Sequence, residues 1–127
     1  MKYAIVALLI AVVLAAGCIG QASAPTGGSV SERPANGEII EFFGAECPHC
    51  QNMAPIVAQA EQELGIIIDM KEVWHDDANR AEMTKYKDLI TSSCGGTFGV
   101  PAFINLKTGK AMCGEKTLDE LKAFILG

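Results

Sequence analysis

Residues 38 to 50 read Glu38-Ile39-Ile40-Glu41-Phe42-Phe43-Gly44-Ala45-Glu46-Cys47-Pro48-His49-Cys50. Ile39 to Phe43 is a short apolar run bounded by Gly37 and Gly44, the pattern of a buried strand. Cys47 then opens a helix reaching Leu64, because Met53, Ile56, Val57, Ala60 and Leu64 recur at helical spacing and Gly65 ends the run. Side chains three apart on a helix share a face, so Cys47 and Cys50 stand within disulfide reach of each other. The free N–H groups and positive dipole end of a helix N-terminus favour a thiolate there. Pro48 falls where a helix needs no N–H, and a protonated His49 would favour the thiolate further. The pattern predicts an exposed nucleophile at Cys47 and a buried resolving thiol at Cys50, with each cycle passing through a mixed disulfide.

Two other uses of the pair are weaker. Zinc needs four ligands, so Cys94, Cys113 and a histidine would have to converge on it. An inert disulfide would not need the strand–turn–helix setting. No metal site is assigned. Glu41 is the second clue, since it interrupts an apolar strand. Burying a lone carboxylate is costly. Either Glu41 is buried with a raised pKa and takes protons from a neighbouring thiol, or it faces solvent on a half-exposed strand.

Working outward, Ile66 to Trp74 reads as a second apolar strand. Asp76 to Ile90 reads as a helix capped by Asp76, with Met83, Tyr86 and Ile90 on one face. A loop with Gly95, Gly96 and Gly99 leads to a strand over Ala102 to Leu106. Residues 107–110 turn, and Ala111 to Cys113 returns. Thr117-Leu118-Asp119-Glu120 is a capping box opening a last helix with Leu118, Leu121, Phe124 and Ile125 inward. The order β-α-β-α-β-β-α predicts an α/β domain: a four-stranded mixed sheet, its first two strands parallel and its last two a hairpin, flanked by three helices. Trp74 and His75 end the second strand and receive no site.

The N-terminal residues tell a different story. Lys2 precedes an unbroken apolar run from Tyr3 to Ala16, which reads as an export signal. A spanning helix needs roughly 20 apolar residues, so a permanent anchor is the weaker reading. Leu14-Ala15-Ala16-Gly17-Cys18 resembles a lipoprotein signal, in which the cysteine is acylated, although Ala15 stands where leucine is usual. A rival cleavage follows Ala22-Ser23-Ala24, where Pro25 would hinder it. Residues 1–17 are therefore assigned to the signal, 18–37 to a Gly/Ser/Ala/Pro-rich tether, and 38–127 to the folded domain. Without residues 1–17 the chain carries nine basic against 15 acidic residues, a net charge of −6. No basic patch exists to neutralise phosphates, which argues against nucleic acid. Export also implies a compartment where disulfides persist.

Three segments in order carry a family resemblance. Glu41 to Cys50 resembles the active-site strand and turn of the thioredoxin superfamily. Met53-Ala54-Pro55-Ile56 is similar to the stretch where that family's first helix kinks at a proline. Gly99-Val100-Pro101-Ala102-Phe103 resembles its cis-proline loop. The resemblance spans residues 38–127 and implies the thioredoxin fold, a cis Pro101 against the cysteine pair, and Val100 backbone groups pairing with substrate. Glu41 occupies the family's buried acid position, as in protein disulfide isomerase domains. The Cys-Pro-His-Cys and Val-Pro-Ala motifs are similar to dithiol oxidases of the DsbA type, without their large helical insertion. Glu46 stands where tryptophan usually precedes the first cysteine, and its charge would oppose a Cys47 thiolate. Thioredoxin-like partners of vitamin K epoxide reductase have a cysteine resembling Cys94, with its mate nearer the second strand. No cysteine lies between Cys50 and Cys94 here. The expectation is a Cys94–Cys113 disulfide, structural or relaying electrons, against two separate buried thiols.

The resemblance implies an extracytoplasmic thiol–disulfide oxidoreductase, tethered to the outer face of the membrane through lipid on Cys18 or secreted. Cys47, Cys50, Pro48, His49 and Glu41 would carry the catalysis, and Val100 and Pro101 would bind substrate. No cofactor beyond the Cys47–Cys50 disulfide is expected. Its partners would be cysteine-containing exported proteins and a membrane redox partner that resets the pair. Oxidase or isomerase is the expected direction, with reduction of exported disulfides as the alternative. A metal-binding lipoprotein using the same cysteines and a non-catalytic binding module are the readings from other classes.

Overall fold

The computed structural model describes residues 38–127; the assigned signal, the tether and Cys18 lie outside the described residues. Strand β1 (Ile39–Phe43) leads through a turn into helix α1 (Pro48–Leu64), then strand β2 (Asp69–Glu72). Helices α2 (Asp77–Lys85) and α3 (Lys87–Ser93) follow, then strands β3 (Ala102–Asn105) and β4 (Lys110–Cys113), and helix α4 (Leu118–Leu126). The sheet runs β2-β1-β3-β4. β1 pairs in parallel with β2 and antiparallel with β3, which pairs antiparallel with β4.

Strand side chains alternate between faces, and β1 uses both. On one face Ile39 joins Met53, Val57, Ala60, Phe103 and Leu121, under α1 and α4. On the other, Ile40 and Phe42 join Met83, Ile90, Ala102 and Ile104, under α2 and α3. Helix α1 remains one helix through Pro55 and closes on Gly65 in the left-handed conformation (φ 65°). The capping box of α4 forms as expected: Thr117 accepts from the Glu120 N–H, and Glu120 from the Thr117 N–H.

Two expectations are corrected. The single helix predicted over Asp76 to Ile90 is two, giving four helices rather than three among the described residues. The break falls at Tyr86, whose φ and ψ of −98° and 9° leave the helical range. There its ring meets Phe42 in the core, with centroids 5.9 Å apart. The chain turns so that Met83, Tyr86 and Ile90 can all reach the sheet. The second correction is β2, which pairs only over Asp69–Glu72 and not from Ile66 to Trp74. Ile66 to Ile68 precede the strand because the Ile68 N–H is taken by the Glu61 carboxylate of α1 at 2.7 Å.

Asn105 is the buried polar residue at the far end of β3, 1% exposed. Its Nδ2 donates to the Phe124 and Ile125 carbonyls at 2.8 and 3.2 Å, and its Oδ1 accepts from the Lys107 and Thr108 N–H groups at 3.0 Å each. One side chain thereby closes the β3–β4 turn and ties down the last turn of α4. Asn105→Ala leaves these groups without their partner and is expected to cost roughly 2–3 kcal/mol. Urea unfolding should show a lower midpoint at unchanged slope, while Cys47 alkylation in the folded protein keeps its rate.

Candidate functional site

The site is built where three chain segments meet: the N-terminus of α1, the end of β1 and the loop entering β3. Cys47 is the N-cap of α1 in extended conformation, and its sulfur accepts the Cys50 N–H at 3.4 Å. Pro48 occupies the first helical position. The Val100–Pro101 peptide is cis, and the Cys47 thiol points at the Val100 carbonyl, 3.9 Å away. The Pro101 carbonyl accepts the Gly114 N–H at 2.9 Å, which fixes the loop to the end of β4. Both sulfurs are free thiols here.

The expected contrast between an exposed Cys47 and a buried Cys50 is corrected: they are 4% and 5% exposed. Cys47 is covered because the Val100–Pro101 loop lies over it. The two thiols differ chemically instead. Burial, the hydrogen bond to Cys47 and the nearby charges of Cys47 and Glu41 push the Cys50 thiol up to about 12. Cys50 is thus held protonated, while the Cys47 sulfur accepts the N–H at the head of α1.

Glu41 takes the buried alternative, at 1% exposure. No described residue hydrogen-bonds its Oε2. Burial, reinforced by the charge of Glu61, raises its carboxyl to about 7. Glu41 and Cys50 line one cavity of about 210 Å³ behind the cysteine pair, with Phe43, Ala54 and Met70. A carboxyl that exchanges its proton near neutral pH therefore shares a cavity with the Cys50 thiol.

Two carboxylate–histidine pairs flank the cysteines. Glu46 does not project toward Cys47; its carboxylate is held by the His75 Nε2 at 2.8 and 2.9 Å, which raises the imidazole's pKa. His75 was assigned no site from sequence. It is oriented by Glu72, which accepts the N–H groups of Ala45, Trp74 and His75. Trp74 packs over Gly44 so closely that a Cβ there would fall on the indole. On the other flank, His49 Nδ1 meets Glu115 Oε1 at 2.5 Å. Glu115 was not singled out from sequence; its position just after the last strand, opposite the Pro101 loop, is the signal that could have found it. A groove of about 370 Å³ runs between them, lined by His49, Val100, Pro101, Gly114 and Glu115.

Cys94 and Cys113 are joined as a disulfide with Cα atoms 5.8 Å apart. It links the end of α3 to the end of β4 and lines a second cavity, of about 460 Å³, that shares Val100, Pro101 and Gly114 with the groove. Those cysteines are therefore not available to complete a metal site with Cys47 and Cys50.

Strand order, the Cys-x-x-C at the head of α1 and the proline loop facing it make the arrangement that the resemblance to the thioredoxin superfamily implies, with the cysteine pair as its candidate reactive group. The chain is 31% identical over 125 residues to protein disulfide-isomerase tigA of Aspergillus niger, a match covering 85% of this chain and 32% of that protein. The chain thus spans about a third of the length of this curated relative. No family model matches. Among solved structures, the glutaredoxin grx-1 of Archaeoglobus fulgidus aligns over 71% of this chain and 87% of its own, at 18% identity and a TM-score of 0.47. A chain from work on the thiol resolving mechanism of yeast mitochondrial 1-Cys peroxiredoxin aligns over 69% of this chain and 74% of its own, at 18% and 0.47.

Glu41 gives the site a measurable pH signature. Its pKa is about 7 in the fold against 4.5 for an ordinary glutamate. Between those values the folded state holds the proton that the unfolded state has lost, so stability falls as pH rises from 4.5 through 7 and then levels off. Measured in the dithiol form, Glu41→Gln should gain on wild type by up to about 3 kcal/mol between pH 4.5 and 8. A difference that stays flat across that range would reject the raised pKa.

Proposed function

We propose that this chain exchanges disulfides with cysteine-containing exported proteins, in the oxidising or isomerising direction. The observation that carries the reading is the asymmetry of the pair: Cys47 accepts an N–H at the head of α1, while Cys50 is pushed up to about 12 in a cavity shared with Glu41. The likeness to a protein named as a disulfide isomerase supports the direction.

In oxidation, a substrate thiolate attacks Cys47 of the Cys47–Cys50 disulfide, and the bond between the two cysteines breaks. Cys50 leaves as a thiolate and takes the Glu41 proton, which solvent replaces. A second substrate thiolate attacks the substrate sulfur of the mixed disulfide and releases Cys47. Two electrons pass from two substrate thiols to the enzyme disulfide, and a disulfide-bearing membrane partner takes them in turn. In isomerisation the dithiol form begins: Cys47 attacks a substrate disulfide and releases one substrate thiolate, and a different substrate thiolate then attacks the substrate sulfur of the adduct, forming a new substrate disulfide and releasing Cys47 with no net change in oxidation state. Where no substrate thiolate does so, Cys50 cleaves the adduct, Glu41 taking its proton, which leaves the substrate reduced and the pair oxidised. Pro48 opens the helix, and the Val100 and Pro101 backbone holds the substrate chain in the groove. The only redox group the reaction needs is the cysteine pair itself.

Cys47→Ser is expected to abolish insulin-disulfide turnover. Cys50→Ala should still react once and accumulate the mixed disulfide, visible by mass spectrometry without reduction. Glu41→Gln should slow the steps through Cys50 by about a hundredfold, the lower end of the range for general acid–base catalysis of about 10²–10⁴. A wild type without turnover that binds stoichiometric zinc would overturn the proposal. A reduction potential near the −270 mV or so of thioredoxin would reverse the direction to reductase.

The same reading places the chain outside the cytoplasm, tethered by lipid on Cys18 at the outer face of the membrane. Intact mass of protein from the membrane fraction should show an acylated chain beginning at Cys18. A soluble chain beginning at Ala22 or later would leave it secreted.

A further inference from the structure

Glu115 ties the end of β4 to the first turns of α1. Its Oε1 accepts from the Asn52 Nδ2 at 3.0 Å and meets the His49 Nδ1 at 2.5 Å. These partners lie 63 and 66 residues away in sequence, so the contact exists only in the folded domain. The His49 and Glu115 side chains are 69% and 44% exposed. An ion pair so exposed contributes little to stability, so stability does not account for the arrangement.

Its place in the site does. A protonated imidazole next to Cys47 stabilises the thiolate and hence the reduced form, which makes a cysteine pair more oxidising. Here the His49 ring nitrogen is directed to Glu115, and His49 makes no hydrogen bond to Cys47 among the described residues. Whenever the imidazole carries a proton, its charge stands directly against the Glu115 carboxylate, which opposes its field. Asn52 and His49 hold the Glu115 carboxyl below its usual range, which keeps it charged.

The other charges near this end of the fold are accounted for. Glu46 is paired with His75, Glu41 is buried behind Cys50, and Glu120 is committed to Thr117. Lys116 follows Glu115 and lines the neighbouring cleft with Asn52.

We infer that Glu115 is a positioning residue that holds the His49 imidazole off Cys47 and offsets its charge, keeping the Cys47–Cys50 pair less oxidising than its Pro48-His49 insert alone would make it. The inference rests on the reading of Cys47–Cys50 as an exchanging pair and assigns the control of its potential.

The test is the equilibrium of the full domain with glutathione, read by alkylation and mass spectrometry. At about pH 6, where an imidazole without a carboxylate partner is still largely protonated, Glu115→Gln should shift the equilibrium constant about tenfold toward the reduced enzyme, or roughly 30 mV. The pH profile of Cys47 alkylation should move to lower pH. Glu115→Asp, which keeps the charge, should restore most of the wild-type value. In the His49→Ala background the Glu115→Gln shift should shrink to threefold or less, because no cation remains to be released. An unchanged constant, a shift toward the oxidised enzyme, or equal shifts in both backgrounds would overturn the inference. Insulin turnover measured in parallel separates the two proposals: a wild type that equilibrates with glutathione but turns over no substrate defeats the proposed function and leaves the Glu115 result readable.

Discussion

The site depends on the central position of β1. It is hydrogen-bonded on both sides, to β2 and to β3, and covered on both faces. A strand so placed has no solvent side, and a polar side chain on it is buried whichever way it points. Alternation sends Ile40 and Phe42 toward α2 and α3, and sends Ile39 and Glu41 toward α1. The carboxyl of Glu41 is thereby carried under the first turns of α1, into the cavity where Cys50 faces inward. The same pairing brings Ala102 opposite Phe42, which sets the Val100–Pro101 loop at the level of the turn carrying Cys47. One strand position thus fixes both the proton-exchanging group behind the cysteines and the backbone in front of them.

The charge distribution follows from this geometry. Three carboxylates, Glu41, Glu46 and Glu115, lie near the pair, and a thiolate would be opposed if all three faced it uncompensated. Each is dealt with differently. Glu41 is neutral for much of the pH range because it is buried. Glu46 and Glu115 are exposed and are paired with His75 and His49. The opposition expected from Glu46 in the sequence is weakened for a reason no local pattern contains, since His75 lies 29 residues further on.

Legibility in the sequence tracks the range of the interaction. Cys47, Pro48 and Cys50 were readable because the head of a helix is a local structure, and Gly65 and Thr117 were readable for the same reason. The burial of Glu41 was ambiguous from alternation alone and was tipped by the family resemblance. Ile66 to Ile68 misled because an apolar run looks like a strand whether its N–H groups go to a neighbouring strand or, as here, to Glu61 of a helix. The break at Tyr86 was invisible because no glycine or proline marks it; a ring contact with Phe42 accompanies it. Cys47 was expected to be exposed because the loop that covers it lies more than 50 residues away. Glu115 escaped for the same reason.

A buried carboxyl with a raised pKa weakens the fold above pH 4.5, by about 3 kcal/mol once it is ionised at pH 8. An apolar residue at the same place would avoid that loss, so packing gives no reason for glutamate in the middle of β1. The proposed proton exchange with Cys50 would supply one. A cross-link of opposite effect lies across the sheet. Cys94–Cys113 closes a loop with a sequence separation of 19, a length for which chain entropy gives about 3 kcal/mol. It joins α3 to β4, on the side of the sheet away from Glu41, and so adds stability without touching the cavity where the proton moves. The disulfide and the buried acid are of similar size and opposite sign, which lets a domain of this length keep a destabilising group at its centre.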